Sequence, residues 1–169
     1  AAQLEGRTIT LTGSERMKQR PIAVLVDALK ELGAEIHYLE KEGYPPLRIT
    51  GKKLSGDRVT IPAHVSSQYI TALMLIAPSL EKGLIIERRG ERVSSSYVEM
   101  TAQLMRTCGL SVSIKDEIVN VEPQQQIPSQ EMEVEADWSA AAFWFSWVAV
   151  NGGNLSLPGL QQDSVQGDQ

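Results

Sequence analysis

The chain has 169 residues, 42% of them hydrophobic and 22% charged, the range of an ordinary globular protein of one domain or a little more. Its net charge of −5 hides an asymmetry: residues 1–60 carry ten Lys/Arg against eight Asp/Glu and residues 61–169 six against thirteen, which leaves no concentrated basic face for nucleic acid. One cysteine, Cys108, excludes an internal disulfide and a cysteine-based zinc site, and the longest strongly apolar run, Trp138 to Val150, has 13 residues, too few to span a bilayer; with no signal peptide at the start, the expectation is a soluble cytoplasmic protein.

Residues 8–12 alternate β-branched and apolar side chains with period two, which predicts a strand. Residues 13–20 follow as a loop. Pro21 suits the first position of a helix, with Ile22, Leu25, Val26, Leu29 and Leu32 on one face and Gly33 as its stop. Strands are predicted at 34–39, 46–50 and 58–62, with a turn over Lys41-Glu42-Gly43-Tyr44. The second half repeats the order. An apolar helix over 67–77 leads through Pro78 to a strand at 83–87, a helix from Tyr97 to Thr107 stopped by Gly109, and a hairpin-like pair of strands at 110–114 and 118–121. Both halves run helix, glycine stop, strand, turn, strand. A repeat of roughly 60 to 75 residues is too long for a solenoid and indicates two copies of an α/β unit.

Residues 123–130 have linker composition, and 131–135 are strand-like. Asp137-Trp138-Ser139 then opens a helix from Ala140 to Val150 that is apolar nearly all round, a pattern that calls for burial on every side. Too little sequence follows to bury it, so Trp138, Trp144 and Trp147 are expected to be core for chain that is absent. Another strand is predicted at 154–157 and the first turn of another helix at 163–169, which makes the sequence a fragment of a larger protein.

The candidates for chemistry are few. His37 falls in a strand and His64 before a helix, and no His/Cys/Asp/Glu group has metal-ligand spacing. Ser94-Ser95-Ser96 lacks a nucleophile elbow and an obvious histidine, and no glycine-rich phosphate loop occurs. The alternating charges of Glu87-Arg88-Arg89-Gly90-Glu91-Arg92 predict a solvated edge. What remains is a set of polar helix starts: Arg16, Lys18 and Arg20 before Pro21; Val65-Ser66-Ser67-Gln68-Tyr69; and Val93-Ser94-Ser95-Ser96-Tyr97. A serine in such a place is an ordinary N-cap worth about 1 kcal/mol. Recurring at equivalent places of repeated units, these starts instead predict helix N-termini that face one cleft, where free N–H groups, hydroxyls and a guanidinium hold an anion.

Arg16-Met17-Lys18-Gln19-Arg20-Pro21, Tyr44-Pro45-Pro46-Leu47, Val65-Ser66-Ser67-Gln68-Tyr69 with Thr71-Ala72-Leu73, Val93-Ser94 with Tyr97, and Ser164-Val165-Gln166-Gly167-Asp168 together resemble the signatures of the 5-enolpyruvylshikimate-3-phosphate (EPSP) synthase family, in order over essentially the whole chain. The resemblance implies an α/β (α+β) fold of repeated βαβαββ units. Residues 1–136 would hold two of the three units of one lobe, about 1–62 and 63–136, and residues 137–169 a hinge crossing into the second lobe. It implies transfer of the enolpyruvyl group of phosphoenolpyruvate to the 5-hydroxyl of shikimate 3-phosphate, in aromatic amino acid biosynthesis, without metal or organic cofactor. Carried over by motif, Ser66, Ser67, Gln68, Ser94 and Tyr97 would hold shikimate 3-phosphate, and Arg16 and Gln68 phosphoenolpyruvate. No catalytic residue is expected within the chain. Asp168 matches a helix start rather than the family's catalytic aspartate, and the chain alone is expected not to turn over. The parent would be monomeric, with the fragment open to self-association through 138–150. Two other readings are a UDP-N-acetylglucosamine enolpyruvyl transferase and a non-catalytic anion-binding or assembly module.

Overall fold

A computed structural model describes residues 2–62, 66–90, 96–124, 126, 129 and 131–166. The first group of elements is strand β1 (Thr8–Leu11), a single helical turn α1 (Glu15–Lys18), helix α2 (Ala23–Glu31) and strands β2 (Glu35–Tyr38) and β3 (Leu47–Thr50). The three strands form an antiparallel sheet in the order β1-β3-β2, whose register sets Ile9 and Ile36 on either side of Ile49. The row of isoleucines is the period-two pattern turned inward, with Ile36 and Ile49 buried.

The second group is strand β4 (Arg58–Pro62), helix α3 (Ser67–Ile76) continuing into a 3-10 turn over Ala77–Ser79, strand β5 (Leu84–Arg89), helix α4 (Ser96–Thr107) and strands β6 (Val112–Lys115) and β7 (Ile118–Val121). Its sheet order is β4-β5-β7-β6, with β4 parallel to β5 and the other pairs antiparallel. Within it, β5-β7-β6 repeats the order β1-β3-β2, and α4 lies between its strands in sequence as α2 does. The repeat extends to the helix stops. After α2, Gly33 N–H bonds Lys30 O and Ala34 N–H bonds Leu29 O; after α4, Gly109 N–H bonds Arg106 O and Leu110 N–H bonds Met105 O. Both glycines have positive φ, 98° and 79°, as this closure of the last carbonyls requires. A single cluster of buried side chains, from Val26 and Ile49 through Ile61, Leu73 and Ile86 to Val119, joins both sheets.

Four local expectations give way to tertiary context. Helix α2 begins at Ala23 rather than Pro21, because Ile22 has φ −132° and donates its N–H to Gly43 O at 2.8 Å. Residues 13–20, expected as loop, contain α1, capped by the Ser14 hydroxyl on Met17 N–H. Residues 131–135 and 154–157 form no strand, since no neighbour offers them a ladder; Ala136 N–H instead bonds Gly159 O at 2.8 Å. Residues 163–166 are not helical but clamp the chain ahead of the last helix: Ser164 Oγ donates to Glu135 Oε1, and the Gln166 amide donates to Ala136 O while accepting from Trp138 N–H.

Helix α5 (Trp138–Asn151) starts as the sequence predicts, with the Asp137 carboxylate accepting from Ser139 N–H and Ala140 N–H. Its apolar surface is open: Phe143 is 77% and Trp147 57% exposed, and Ala141 is its buried residue. The edge expected to be solvated contains an exception, because Arg88 is only 7% exposed. Its guanidinium donates to Asp116 O at 2.8 Å and lies 3.8 Å from Glu117 Oε2, which pins the β6–β7 turn to β5.

Candidate functional site

Parallel strands β4 and β5 run in the same direction and each feeds a helix, so α3 and α4 both start near the carboxyl edge of that pair, where α/β sheets commonly bind ligands. Helix α3 is anchored by Ile70, Leu73 and Met74, buried at i, i+3 and i+4, and α4 by Val98, Thr101, Ala102 and Met105. The two helices pack against each other. Between them lies a cavity of about 510 Å³, walled by Ser66, Ser67, Gln68, Thr71, Ala72 and Leu75 of the α3 side and by Tyr97, Met100 and Thr101 of α4.

Ser66 is the N-cap of α3, and its Oγ accepts from Gln68 N–H at 3.3 Å. That satisfies one of the first-turn donors; the dipole and the rest of that turn favour an anion at the same end. Of the residues expected at the site, Ser66, Ser67, Gln68 and Tyr97 line this one cavity. Ser94 lies outside the described residues, as do Val65 and Asp168. Arg16 is exposed in α1 and does not line the cavity, although its segment is tethered nearby: the Tyr69 hydroxyl of α3 donates to Pro21 O at 2.6 Å. Lys18 of the same turn bridges Glu15 and Glu40, and those carboxylates hold its ammonium pKa above the ordinary lysine value.

Two cavity hydroxyls have no role assigned from the sequence: Thr71, which stands in the Thr71-Ala72-Leu73 part of the family signature, and Thr101, which stands in no motif. Thr71 and Thr101 meet across the helix pair, Oγ1 to Oγ1 at 3.2 Å, and Thr101 Oγ1 also donates to Tyr97 O at 2.7 Å. The available signal was helical spacing, since Gln68, Thr71 and Leu75 fall at i, i+3 and i+7, as Tyr97 and Thr101 do at i and i+4. A second cleft of about 700 Å³ shares Tyr97 and Met100 with the first and is also lined by Met132, Val134, Asp137 and Gln166.

Elsewhere the candidates have little chemistry. His37 Nε2 sits 3.8 Å from Glu35 Oε1 on the surface, and His64 is outside the described residues. Cys108 is half-buried beyond the end of α4, with its Sγ 3.2 Å from Met132 Sδ. Among the described residues no group of three or more His, Cys, Asp or Glu could hold a metal ion, and no helix is long and apolar enough to cross a membrane.

Fold and site together define an α/β protein that gathers polar helix starts around one cavity lined by hydroxyls and an amide. Comparison with known proteins gives this class a family. The family model for EPSP synthase (3-phosphoshikimate 1-carboxyvinyltransferase) matches residues 1–169, and the chain belongs to that family. It is 48% identical over 163 residues to the 3-phosphoshikimate 1-carboxyvinyltransferase of Bacteroides fragilis strain YCH46, covering 94% of this chain and 39% of that protein. Against the enzyme of the same name from Colwellia psychrerythraea it is 45% identical over 171 residues, covering 99% of this chain and 40% of the relative. The chain thus spans about two fifths of the length of these relatives. In structure it is similar to EPSP synthase from Acinetobacter baumannii, with a TM-score of 0.69 and 22% identity over 85% of this chain and 31% of the other, a likeness of fold.

Proposed function

We propose that this chain carries the shikimate 3-phosphate half of an EPSP synthase site, and that the protein to which it corresponds transfers the enolpyruvyl group of phosphoenolpyruvate to the 5-hydroxyl of that substrate with release of phosphate. The observation that carries the reading is the shared cavity that brings Ser66, Ser67, Gln68 and Tyr97 to the starts of α3 and α4. The α3 N-terminus with the Ser66 and Ser67 hydroxyls would take the phosphate, and Gln68 and Tyr97 would address the ring hydroxyls. Ser94 would join them from the α4 start, and Arg16 would approach phosphoenolpyruvate from the tethered segment, with Gln68 between the two substrates. Each partner is neutral or cationic, as an anionic guest demands.

Residues up to about 136 would form two repeat units of one lobe and α5 would begin the other; the pairing of β4 with β5 favours moving the boundary between the units from about 62 to just before Arg58. Proton transfer in an addition–elimination needs positioned acid and base groups. Among the described residues the cavity is lined by hydroxyls and an amide without a carboxylate or lysine, which suits a part of the site that binds and orients the substrate. A reducing cytoplasmic setting suits its single free thiol.

Calorimetric titration of the chain with shikimate 3-phosphate and with UDP-N-acetylglucosamine tests the reading, together with an assay of phosphate release. The expected result is saturable binding of the first ligand, none of the second, and no turnover. Preference for the nucleotide sugar points to the other enolpyruvyl transferase, and binding of neither refutes the assignment.

A further inference from the structure

We infer that Thr71 is a specificity-determining residue of the cavity, held as a hydrogen-bond acceptor for a hydroxyl of the guest by a relay through Thr101 to the backbone of Tyr97; the inference rests on the shikimate 3-phosphate reading of the same site. Thr101 is 7% exposed, and its single hydroxyl proton goes to Tyr97 O at 2.7 Å. In the longer 3.2 Å contact Thr101 Oγ1 is therefore the acceptor and Thr71 the donor. With its proton committed, Thr71 presents lone pairs to the cavity it lines. A phosphate oxygen, itself an acceptor, gains nothing there, whereas a ring hydroxyl of a phosphorylated polyol can donate.

The relay also runs between the two elements that define the site. It starts on α3 one turn after Gln68 and ends on the carbonyl of Tyr97 in the first turn of α4. Thr71 thereby separates the two parts of the guest: the α3 start with Ser66 and Ser67 reads phosphate, and Thr71, one turn deeper, reads a hydroxyl. A valine has nearly the same shape but no hydroxyl, so it removes the acceptor together with the Thr71–Thr101 bond, and the phosphate probe reports whether the site otherwise stays intact.

The test is titration of the full 169-residue chain, as wild type and as the Thr71→Val, Thr71→Ser and Thr101→Val variants, with two probes, shikimate 3-phosphate and inorganic phosphate at one pH. Thr71→Val should bind shikimate 3-phosphate roughly tenfold more weakly, the loss of one net hydrogen bond, with phosphate affinity unchanged. Thr71→Ser should restore wild-type affinity. Thr101→Val, which releases the Thr71 proton to turn toward the cavity, should give a smaller loss of the same selectivity. Equal affinity of wild type and Thr71→Val for shikimate 3-phosphate overturns the inference and leaves the proposed function standing. So does a parallel weakening of both probes, which would mark a purely structural pair. Failure of the wild type to bind shikimate 3-phosphate overturns both.

Discussion

Replacing Ser66 by aspartate separates a helix cap from an anion site. As caps, aspartate and serine are nearly equal, and a carboxylate at this end gains about 0.3–1 kcal/mol from the helix dipole. Ser66→Asp should therefore melt at or slightly above the wild-type temperature, with its carboxylate taking over the Gln68 N–H that the hydroxyl now holds at 3.3 Å. Binding moves the other way. Against each unit of charge on a phosphate about 5 Å away, the carboxylate costs about 3 kcal/mol at an effective dielectric of roughly 20, and about 1 kcal/mol in a more water-like setting, which suits the exposed Ser66 better. The expected loss of shikimate 3-phosphate affinity is roughly 5- to 150-fold at low salt, shrinking as salt screens the repulsion. Thermal denaturation and titration calorimetry at two ionic strengths measure both effects. Unchanged affinity, or a loss of stability without a loss of affinity, would show that Ser66 caps α3 and does nothing more.

The remaining predictions concern the scaffold. Tyr38→Phe removes a buried hydroxyl that meets no hydrogen-bond partner among the described residues, so it should raise stability at neutral pH by about 1 kcal/mol in urea titrations. Burial, then the nearby Asp27 and Glu42 carboxylates, hold the Tyr38 pKa above its ordinary value. The protonated ring is thus favoured in the folded chain, its contribution is complete below about pH 10 and is lost as pH rises further. The phenylalanine variant should lack that part of the alkaline loss; identical pH profiles would contradict the assignment. Arg88→Met leaves the Asp116 carbonyl and the Glu117 carboxylate without the guanidinium and should lower stability by about 2 kcal/mol, less than for a fully buried pair because Glu117 is partly exposed; a shift under about 0.5 kcal/mol in urea denaturation would show that the turn does not depend on it. The open surface of α5 should drive self-association, and Trp144→Lys with Trp147→Lys should return light-scattering masses to the 18.6 kDa of one chain; a wild type that stays at that mass as concentration rises would refute this.

The elements most legible in the sequence are those whose signal is local. The alternation in β1, the helical spacing of Ile70, Leu73 and Met74, and the glycine stops at Gly33 and Gly109 each record a backbone requirement met within a few residues. Residues 131–135 and 154–157 alternate like strands, but a strand exists only if a neighbour pairs with it, and pairing is not written in the segment itself. Arg88 sits among alternating charges that look solvated; its burial follows from the β5–β7 register, which carries the β6–β7 turn to its guanidinium. At the site, Ser66, Ser67, Gln68 and Tyr97 were legible as polar helix starts, because capping chemistry has a sequence signature. Thr71 and Thr101 were not. Their meaning lies in a contact across 30 residues, and a threonine inside a helix usually has no meaning beyond its modest propensity.

The most direct test of the account is to map shikimate 3-phosphate onto the chain by amide chemical shifts during titration. Saturable shifts centred on Ser66, Ser67, Gln68, Thr71 and Tyr97, with little change at the distant cleft of Gln3, Lys53 and Ser79, are the predicted result. Shifts that bypass the starts of α3 and α4, or none at saturating ligand, would contradict the claim that these helix starts form the substrate site.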